Sequence, residues 1–244
     1  MTTRKVKRIF NEIKELRSSI DVFKQSGIYF HLDEDNLDKI LIMFIGPEGT
    51  PYEKGFYFFE LTYPDNYPMV PPVMKFCTQG FLTNHLKKPV NIRFNPNLYT
   101  NGKVCLSMLN TWKGPGWVPT NTITNILVAI QALVFNEEPL RNEPGFENSD
   151  HQDIDIYNQI IDFSNIKIAI CDQLMKESLG DFECFRVVMN DYFKQNQEYY
   201  IQKINTYINK ENTEKNTCAY GLHVSIHYDS IINYFDVVKT KLNI

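Results

Sequence analysis

The side chains best suited to chemistry in these 244 residues are the five cysteines, Cys77, Cys105, Cys171, Cys184 and Cys218. A thiolate is a strong nucleophile and a soft metal ligand, whereas a protonated thiol in a core is simply a small apolar group. Their number is odd and their spacing irregular, so any disulfide framework leaves at least one over, and a chain this long buries a core without covalent staples. Free thiols in a reducing compartment are the expectation. No C-x-x-C pair occurs. The loosest metal candidate joins Cys218 to His223, but without close ligand pairs no structural metal is expected, and no cofactor either. Cys105, between Val104 and Leu106, reads by itself as a core residue. The nearest preceding histidine, His85, stands twenty residues away, and the Cys–His–Asn pattern of a thiol protease is absent.

The elements that must hold such a group can be traced from periodicity. Val6, Ile9, Phe10, Ile13 and Leu16 recur at helical spacing and predict an amphipathic first helix. Six basic residues against Glu12 and Glu15 in positions 1–17 make its outer side basic, either a solvated face or a docking surface for an acidic partner. β-rich runs at 28–32, 40–45 and 56–62 are separated by DEDNLD and GPEGTPYEKG, which read as the connections of an antiparallel meander. A fourth strand at 73–76 follows YPDNYPMVPP, a proline-stiffened connector at a sheet edge.

Residues 77–119 carry little periodic pattern, yet hold NPN, NGK, KGPG and both tryptophans, and their apolar content predicts an ordered loop. Ile123, Ile126, Leu127, Ile130, Leu133 and Val134 then trace a buried central helix ending near 137–139. After the turn-rich RNEPGFENSDHQD, helical stretches are expected near 155–177, 183–209 and 226–242, with a polar break at NKENTEKNT. Strands followed by helices indicate an α+β fold, with a domain over 1–150 and a helical extension over 151–244 packed on it.

A formal charge of −4 argues against a general nucleic-acid binder. No apolar run approaches the roughly 18 residues that span a bilayer, so no membrane is expected. The start, MTTRKVKRIF, is charged and lacks the apolar stretch of a secretory signal, and cytoplasmic and nuclear residence is expected.

The segment FNPNLYTNGKVCLSMLNTWKGPGWVP resembles the active-site loop of ubiquitin-conjugating enzymes. GPEGTPYEKGFYFFELTYPDNYPMVPP matches the same family in order and spacing, and NEPGFE with YNQIIDFSNIKIAICDQLM resembles its Z class, with the O class and the apoptosis-inhibitor-fused conjugating domains as relatives. The resemblance implies the ubiquitin-conjugating fold: an N-terminal helix, a four-stranded antiparallel meander, an ordered loop carrying the cysteine, flanking helices and, here, a C-terminal extension. It implies an acyltransferase. Cys105 would accept ubiquitin, or a ubiquitin-like modifier, as a thioester from an activating enzyme within an ATP-dependent cascade, and pass it to a lysine or to a ligase. Because the acyl group arrives already activated, no strong general base is needed.

Asn97, eight residues before Cys105, matches the family's second catalytic position, where an amide donor stabilises the tetrahedral oxyanion, braces the loop, or does both. Three departures stand out. Asn95 replaces the usual histidine, so its bracing must come from another side chain; Ser107 replaces a frequent acid two after the cysteine; and TWKGPG lengthens the path to Trp117. Ser107 and Asn142, the latter beside Glu143, fall where a gate to the acceptor often lies, although Asn142 also reads as a helix-terminating turn. Lys7, Arg8 and Asn11 match the face that meets the activating enzyme. Tyr63, Pro119 and Thr120 match two loop tips gripped by ligases, with Tyr63 either an exposed aromatic anchor or ordinary hairpin packing. The Z-class likeness implies the alternative activating enzyme. Two other classes remain: a catalytically silent ubiquitin-binding module of the same fold, and a thiol hydrolase, which the missing base disfavours.

Overall fold

Residues 3–33, 36–217 and 219–243 are described by the structure, a computed structural model; Cys218 lies outside them. Helix α1 (Thr3–Ser18) buries Ile9, Ile13 and Leu16, as their spacing requires, but leaves Phe10 exposed. Its basic face is thinner than the sequence implies. Lys5 is fully buried, its Nζ 2.9 Å from Asp38 Oδ1 and donating to the Tyr63 carbonyl at 3.1 Å, and Arg8 is ion-paired with the buried Glu12. A buried ammonium needs such partners, since an unpaired one would neutralise instead. Glu12 also accepts from Tyr67 Oη at 2.5 Å, and the Arg8 guanidinium donates to the Asn121 carbonyl at 2.6 Å, which ties α1 to the chain entering the central helix.

After α2 (Ile20–Gln25) come β1 (Ile28–Leu32), β2 (Lys39–Ile45), β3 (Phe56–Thr62) and β4 (Val73–Phe76), an antiparallel sheet in sequence order. Phe44 faces Ile28 on one side and Tyr57 on the other. Alternate residues of a strand point to opposite faces, and here both faces are covered. Tyr57 and Phe59 meet Phe135 at the end of the central helix, with ring centroids 4.9 and 6.3 Å away. Phe58 stacks on Phe182 at 4.9 Å and Phe56 meets Tyr192 at 6.2 Å, both from the C-terminal extension.

A short hairpin, β5 (Phe81–Thr83) and β6 (Pro89–Asn91), precedes the long loop. Helix α3 (Ile123–Ala129) starts at a capping box between Thr122 and Asn125 and runs into a π-helical turn, Ile130–Val134. In the extension, α4 (His151–Ser164), a π-helical stretch (Asn165–Asp172) and α5 (Gln173–Met175) follow without a break, before α6 (Arg186–Gln195) and α7 (Gln197–Asn205). The expected helix over 183–209 is thus two helices parted at Asn196, and the polar break is not a plain linker. It carries β7 (Thr213–Asn216), which pairs with β8 (His223–Ile226) before α8 (Tyr228–Leu242). The extension is largely helical, as expected, and adds two strands that the sequence reading did not place: β8 also pairs with β5, giving a second sheet ordered β6-β5-β8-β7.

Hydrogen bonds fix the extension to the meander. Asn165, buried in the π-helical stretch, accepts from Tyr57 Oη at 2.7 Å and donates to the Glu53 carbonyl at 2.8 Å. The approach is so close that a β-carbon on Gly55 would fall 1.8 Å from Asn165 Oδ1, so only glycine fits there. Tyr200 Oη reaches the Lys54 carbonyl at 2.8 Å.

Candidate active site

Cys105 stands in a loop held by its own backbone. Its N–H donates to the Asn97 carbonyl at 2.8 Å, and Asn97 Nδ2 donates back to the Cys105 carbonyl at 2.6 Å, a reciprocal clamp across eight residues. Thr111 closes the far side: its hydroxyl accepts from Leu106 N–H at 2.9 Å and donates to the Val104 carbonyl at 2.7 Å. The chain next makes a 3₁₀ turn, Ser107–Leu109, ended by Asn110 in the left-handed region, whose side chain accepts from Trp117 N–H at 2.8 Å. The Trp117 indole N–H donates to the Pro68 carbonyl at 2.7 Å, anchoring the lengthened segment to the proline-rich connector. Gly114 passes over Ser107, where an added β-carbon would lie 3.0 Å from Ser107 Cβ at a φ of +133°, so a larger residue there would be both strained and crowded. Ser107 is half-buried beneath this crossing, two residues after Cys105.

The residue Cys105 is only 1% exposed. It nevertheless stands outside the apolar cluster that includes Val104, Leu106 and Cys171. Burial pushes the Cys77 thiol up to about 11 and the fully buried Cys171 thiol higher still, so both are protonated at neutral pH and are poor nucleophiles, whereas Cys184 is exposed.

Asn95 corrects one expectation. The bracing assigned elsewhere is done by its own amide, which is fully buried: Nδ2 donates to the Val134 carbonyl at 2.7 Å and to Tyr52 Oη at 3.0 Å, and Oδ1 accepts from Asn97 N–H at 2.8 Å. Tyr52 Oη in turn donates to the Phe94 carbonyl at 2.7 Å. The Val134 carbonyl is available because it ends the π-helical turn and lacks a helical partner. Asn142 joins the same network and, half-buried, also lines an open groove with Asn136 and Glu138. It closes the 3₁₀ turn Pro139–Asn142, donates to the Leu133 carbonyl at 2.8 Å and reaches Asn95 Oδ1 at 3.4 Å.

Among the residues expected to meet partners, Lys7, Asn11, Pro119 and Thr120 are exposed. Arg8 is half-buried and occupied by Glu12 and the Asn121 carbonyl. Tyr63 is corrected: it is 2% exposed, its ring edge-on to Tyr67 at 4.7 Å, so it packs the hairpin and offers no outward anchor. The exposed large apolar groups here are Met69 and Val70 on the proline connector and Val73 at the start of β4.

Sequence reasoning missed the hand that the extension lays on the site. The Arg93 guanidinium is sandwiched between the rings of Tyr99, 3.8 Å away, and Tyr220, 4.3 Å away, and also donates to the Pro96 carbonyl. Tyr220 Oη donates to Glu143 at 2.5 Å, and burial together with that carboxylate pushes its phenol up. Tyr157 Oη caps the Arg93 carbonyl at 2.8 Å. An arginine two residues before Asn95 and a tyrosine in a turn more than a hundred residues later carry no local signal of this meeting.

A family model described as ubiquitin-conjugating enzyme matches residues 8–159. Ubiquitin-conjugating enzyme E2 Z of Danio rerio is 38% identical over 187 residues, which cover 75% of this chain and 53% of that protein. The Homo sapiens protein of the same name is 39% identical over 187 residues, covering 75% and 50%. The dual E2 ubiquitin-conjugating enzyme/E3 ubiquitin-protein ligase BIRC6 of Homo sapiens is 34% identical over 198 residues, 78% of this chain and 4% of that one. This chain thus spans about half the length of the E2 Z proteins it matches. With the four-stranded antiparallel sheet, the flanking helices and the clamped cysteine loop in place, the matched region leaves one assignment: the chain belongs to the ubiquitin-conjugating enzyme family.

Proposed function

We propose that the chain carries ubiquitin, or a ubiquitin-like modifier, as a thioester on Cys105. In loading, the Cys105 sulfur attacks the carbonyl carbon of the thioester held by an activating enzyme and expels that enzyme's thiolate. In discharge, a lysine amine or a ligase thiol attacks the same carbon, and the Cys105 sulfur leaves as the new amide or thioester forms. A thioester retains enough free energy for the second step, so each transfer exchanges one acyl acceptor for another without a base of the protease kind. Asn97 both braces the loop and offers the second hydrogen of Nδ2 to the oxyanion. The observation that carries this reading is the reciprocal Asn97–Cys105 clamp within the family-matched region.

Because Cys105 is 1% exposed, loading requires a local shift that uncovers the sulfur. The neighbouring stretch with the fewest contacts to give up is 112–116, which is exposed and whose Gly114 crosses over Ser107. Lys7 and Asn11 face the activating enzyme, and Pro119 and Thr120 face ligases. By likeness to E2 Z, the activating enzyme is the alternative one, and the extension helps select it. The burial of Cys105 favours one competing reading, a silent binding module. Incubation with each activating enzyme, ATP and ubiquitin separates the two: a reductant-sensitive adduct absent from Cys105→Ala supports transfer, and no adduct with any activating enzyme overturns it.

A further inference from the structure

Two strands from distant parts of the chain bring a set of metal-ligating side chains together, far in sequence from the cysteine loop. β5 and β8 are joined by a single register pair, Thr83 opposite Ser225. Continuing that register by two residues in each direction puts His85 opposite His223 on the same face. Their imidazoles do face each other, with ring centroids 4.7 Å apart and planes inclined by 32°. On the neighbouring strand, Glu214 pairs with Ser225 in register and is therefore a diagonal neighbour of His223. Glu214 Oε2 lies 3.1 Å from His223 Nε2, while its Oε1 accepts from Ser225 Oγ at 2.5 Å. The nearest ligand atoms of His85, Glu214 and His223 all lie within 4.8 Å of one another.

We infer that His85, His223 and Glu214 form a binding site for a zinc-class divalent cation. Two imidazole nitrogens and one carboxylate oxygen are a donor set that zinc accepts readily, with bonds of about 2.0–2.2 Å and tetrahedral ligand separations of about 3.3 Å. The three groups need to close by roughly 1.5 Å at most, within the reach of two exposed side chains, His85 and Glu214, and the half-buried His223. The Ser225 hydroxyl orients the carboxylate from behind, as outer-shell partners of metal ligands do. His223 would turn the lone pair of a neutral imidazole nitrogen to the ion, and water would take the fourth position. The ion would add a second tie where only one strand pair now joins β5 to β8, closing a loop of well over a hundred residues between His85 and Glu214. It would thereby hold the β7–β8 hairpin, whose turn carries Tyr220 onto Arg93.

The test uses the full chain freed of metal by a chelator. Titration with zinc ions alone, followed by calorimetry, is expected to show one equivalent bound, weakened more than about tenfold in His85→Ala and in His223→Ala. Zinc should raise the melting midpoint of the wild-type chain and slow amide exchange over 213–226, with both effects lost in the two variants. Since His85 is exposed, His85→Ala should melt like the wild type without zinc, which separates loss of a ligand from loss of folding. Cobalt as a probe should give a tetrahedral spectrum without a thiolate charge-transfer band. Unchanged binding in the double variant, a thiolate band, or no binding at all would overturn the site.

Discussion

Replacing Asn97 by alanine separates the two roles its geometry allows. The substitution removes one hydrogen bond, Nδ2 to the Cys105 carbonyl at 2.6 Å, while the backbone bond from Cys105 N–H to the Asn97 carbonyl survives. A neutral hydrogen bond in a half-buried site is worth about 1 kcal/mol net, up to about 3 if the carbonyl is left unpaired. A purely architectural asparagine therefore predicts a small fall in melting midpoint and an equal slowing of loading and discharge, on the order of tenfold for a loss of about 1.4 kcal/mol. An oxyanion donor predicts another pattern. Loading takes place against the activating enzyme, which brings its own surroundings to the carbonyl, whereas discharge to free lysine has only the groups of this chain to stabilise the oxyanion. Loss of such a donor costs about 100- to 1000-fold, or about 2.7–4 kcal/mol. Single-turnover rates of thioester formation and of lysine-driven discharge, with the melting midpoint measured alongside, decide between them. We expect discharge to fall at least tenfold further than loading. Asn97→Asp keeps the shape but sets a carboxylate against the Cys105 carbonyl, and should fail in the same way. Equal slowing of both steps would refute the oxyanion role.

Cys105→Ser should form an oxygen ester that survives reductant and is cleaved by hydroxide, visible on a denaturing gel, with turnover lost; no ester would remove Cys105 from the reaction. Asn95→Ala should cost about 3 kcal/mol, read as a lower denaturation midpoint, because it strands the buried Val134 carbonyl and the Asn97 N–H together. A loss below about 1 kcal/mol would mean that water restores the network. Tyr220→Ala should remove about 1–2 kcal/mol of ring–guanidinium attraction and speed amide exchange over 93–98, while Tyr220→Phe, which keeps the ring and loses the Glu143 bond, should have a smaller effect. If both variants exchange like the wild type, the extension does not steady the loop.

The meander, the central helix and the cysteine loop were legible because each has a local cause. β-rich runs bounded by turn residues mark the strands, Ile123, Ile126, Leu127, Ile130 and Val134 mark the buried face of a helix although Leu133, expected on the same stripe, is exposed, and the loop motif singles out Cys105 by its spacing from Asn97. What escaped depended on partners far away in the chain. Lys5 and Tyr63 looked like surface groups because the sequence does not show that Asp38 and Tyr67 wait beside them. Asn95 looked like a missing brace because the Val134 carbonyl is freed only by the π-helical turn. β7, in TEKN, has no apolar face of its own and becomes a strand by pairing with β8. One signal was available: a meander with one wet face alternates apolar and polar residues, whereas FYFF at 56–59 is apolar on both faces and requires a cover on each side.

That double cover bears on how the role of the extension can be tested. Removing residues 154–244 takes away Phe182 and Tyr192 from the outer face of β3, Asn165 and Tyr200 from the carbonyls of Glu53 and Lys54, and Tyr157 and Tyr220 from Arg93. Phe56 and Phe58 alone would expose apolar surface worth about 1.5–3 kcal/mol each, and two backbone carbonyls would lose their partners at about 1–3 kcal/mol each if they stay out of reach of water. The sum approaches the entire stability of an ordinary domain, about 5–15 kcal/mol. The truncated chain should therefore aggregate or melt far below the intact one, and its failure to load would say nothing about which activating enzyme the extension prefers. Selectivity has to be read instead from charge substitutions at exposed apolar positions of the extension, such as Val187 and Ile208, which leave these contacts intact. A truncated chain that stays monomeric, melts cooperatively near the intact midpoint and still loads would refute the structural part of this argument, because it would mean that the meander does not need its second cover.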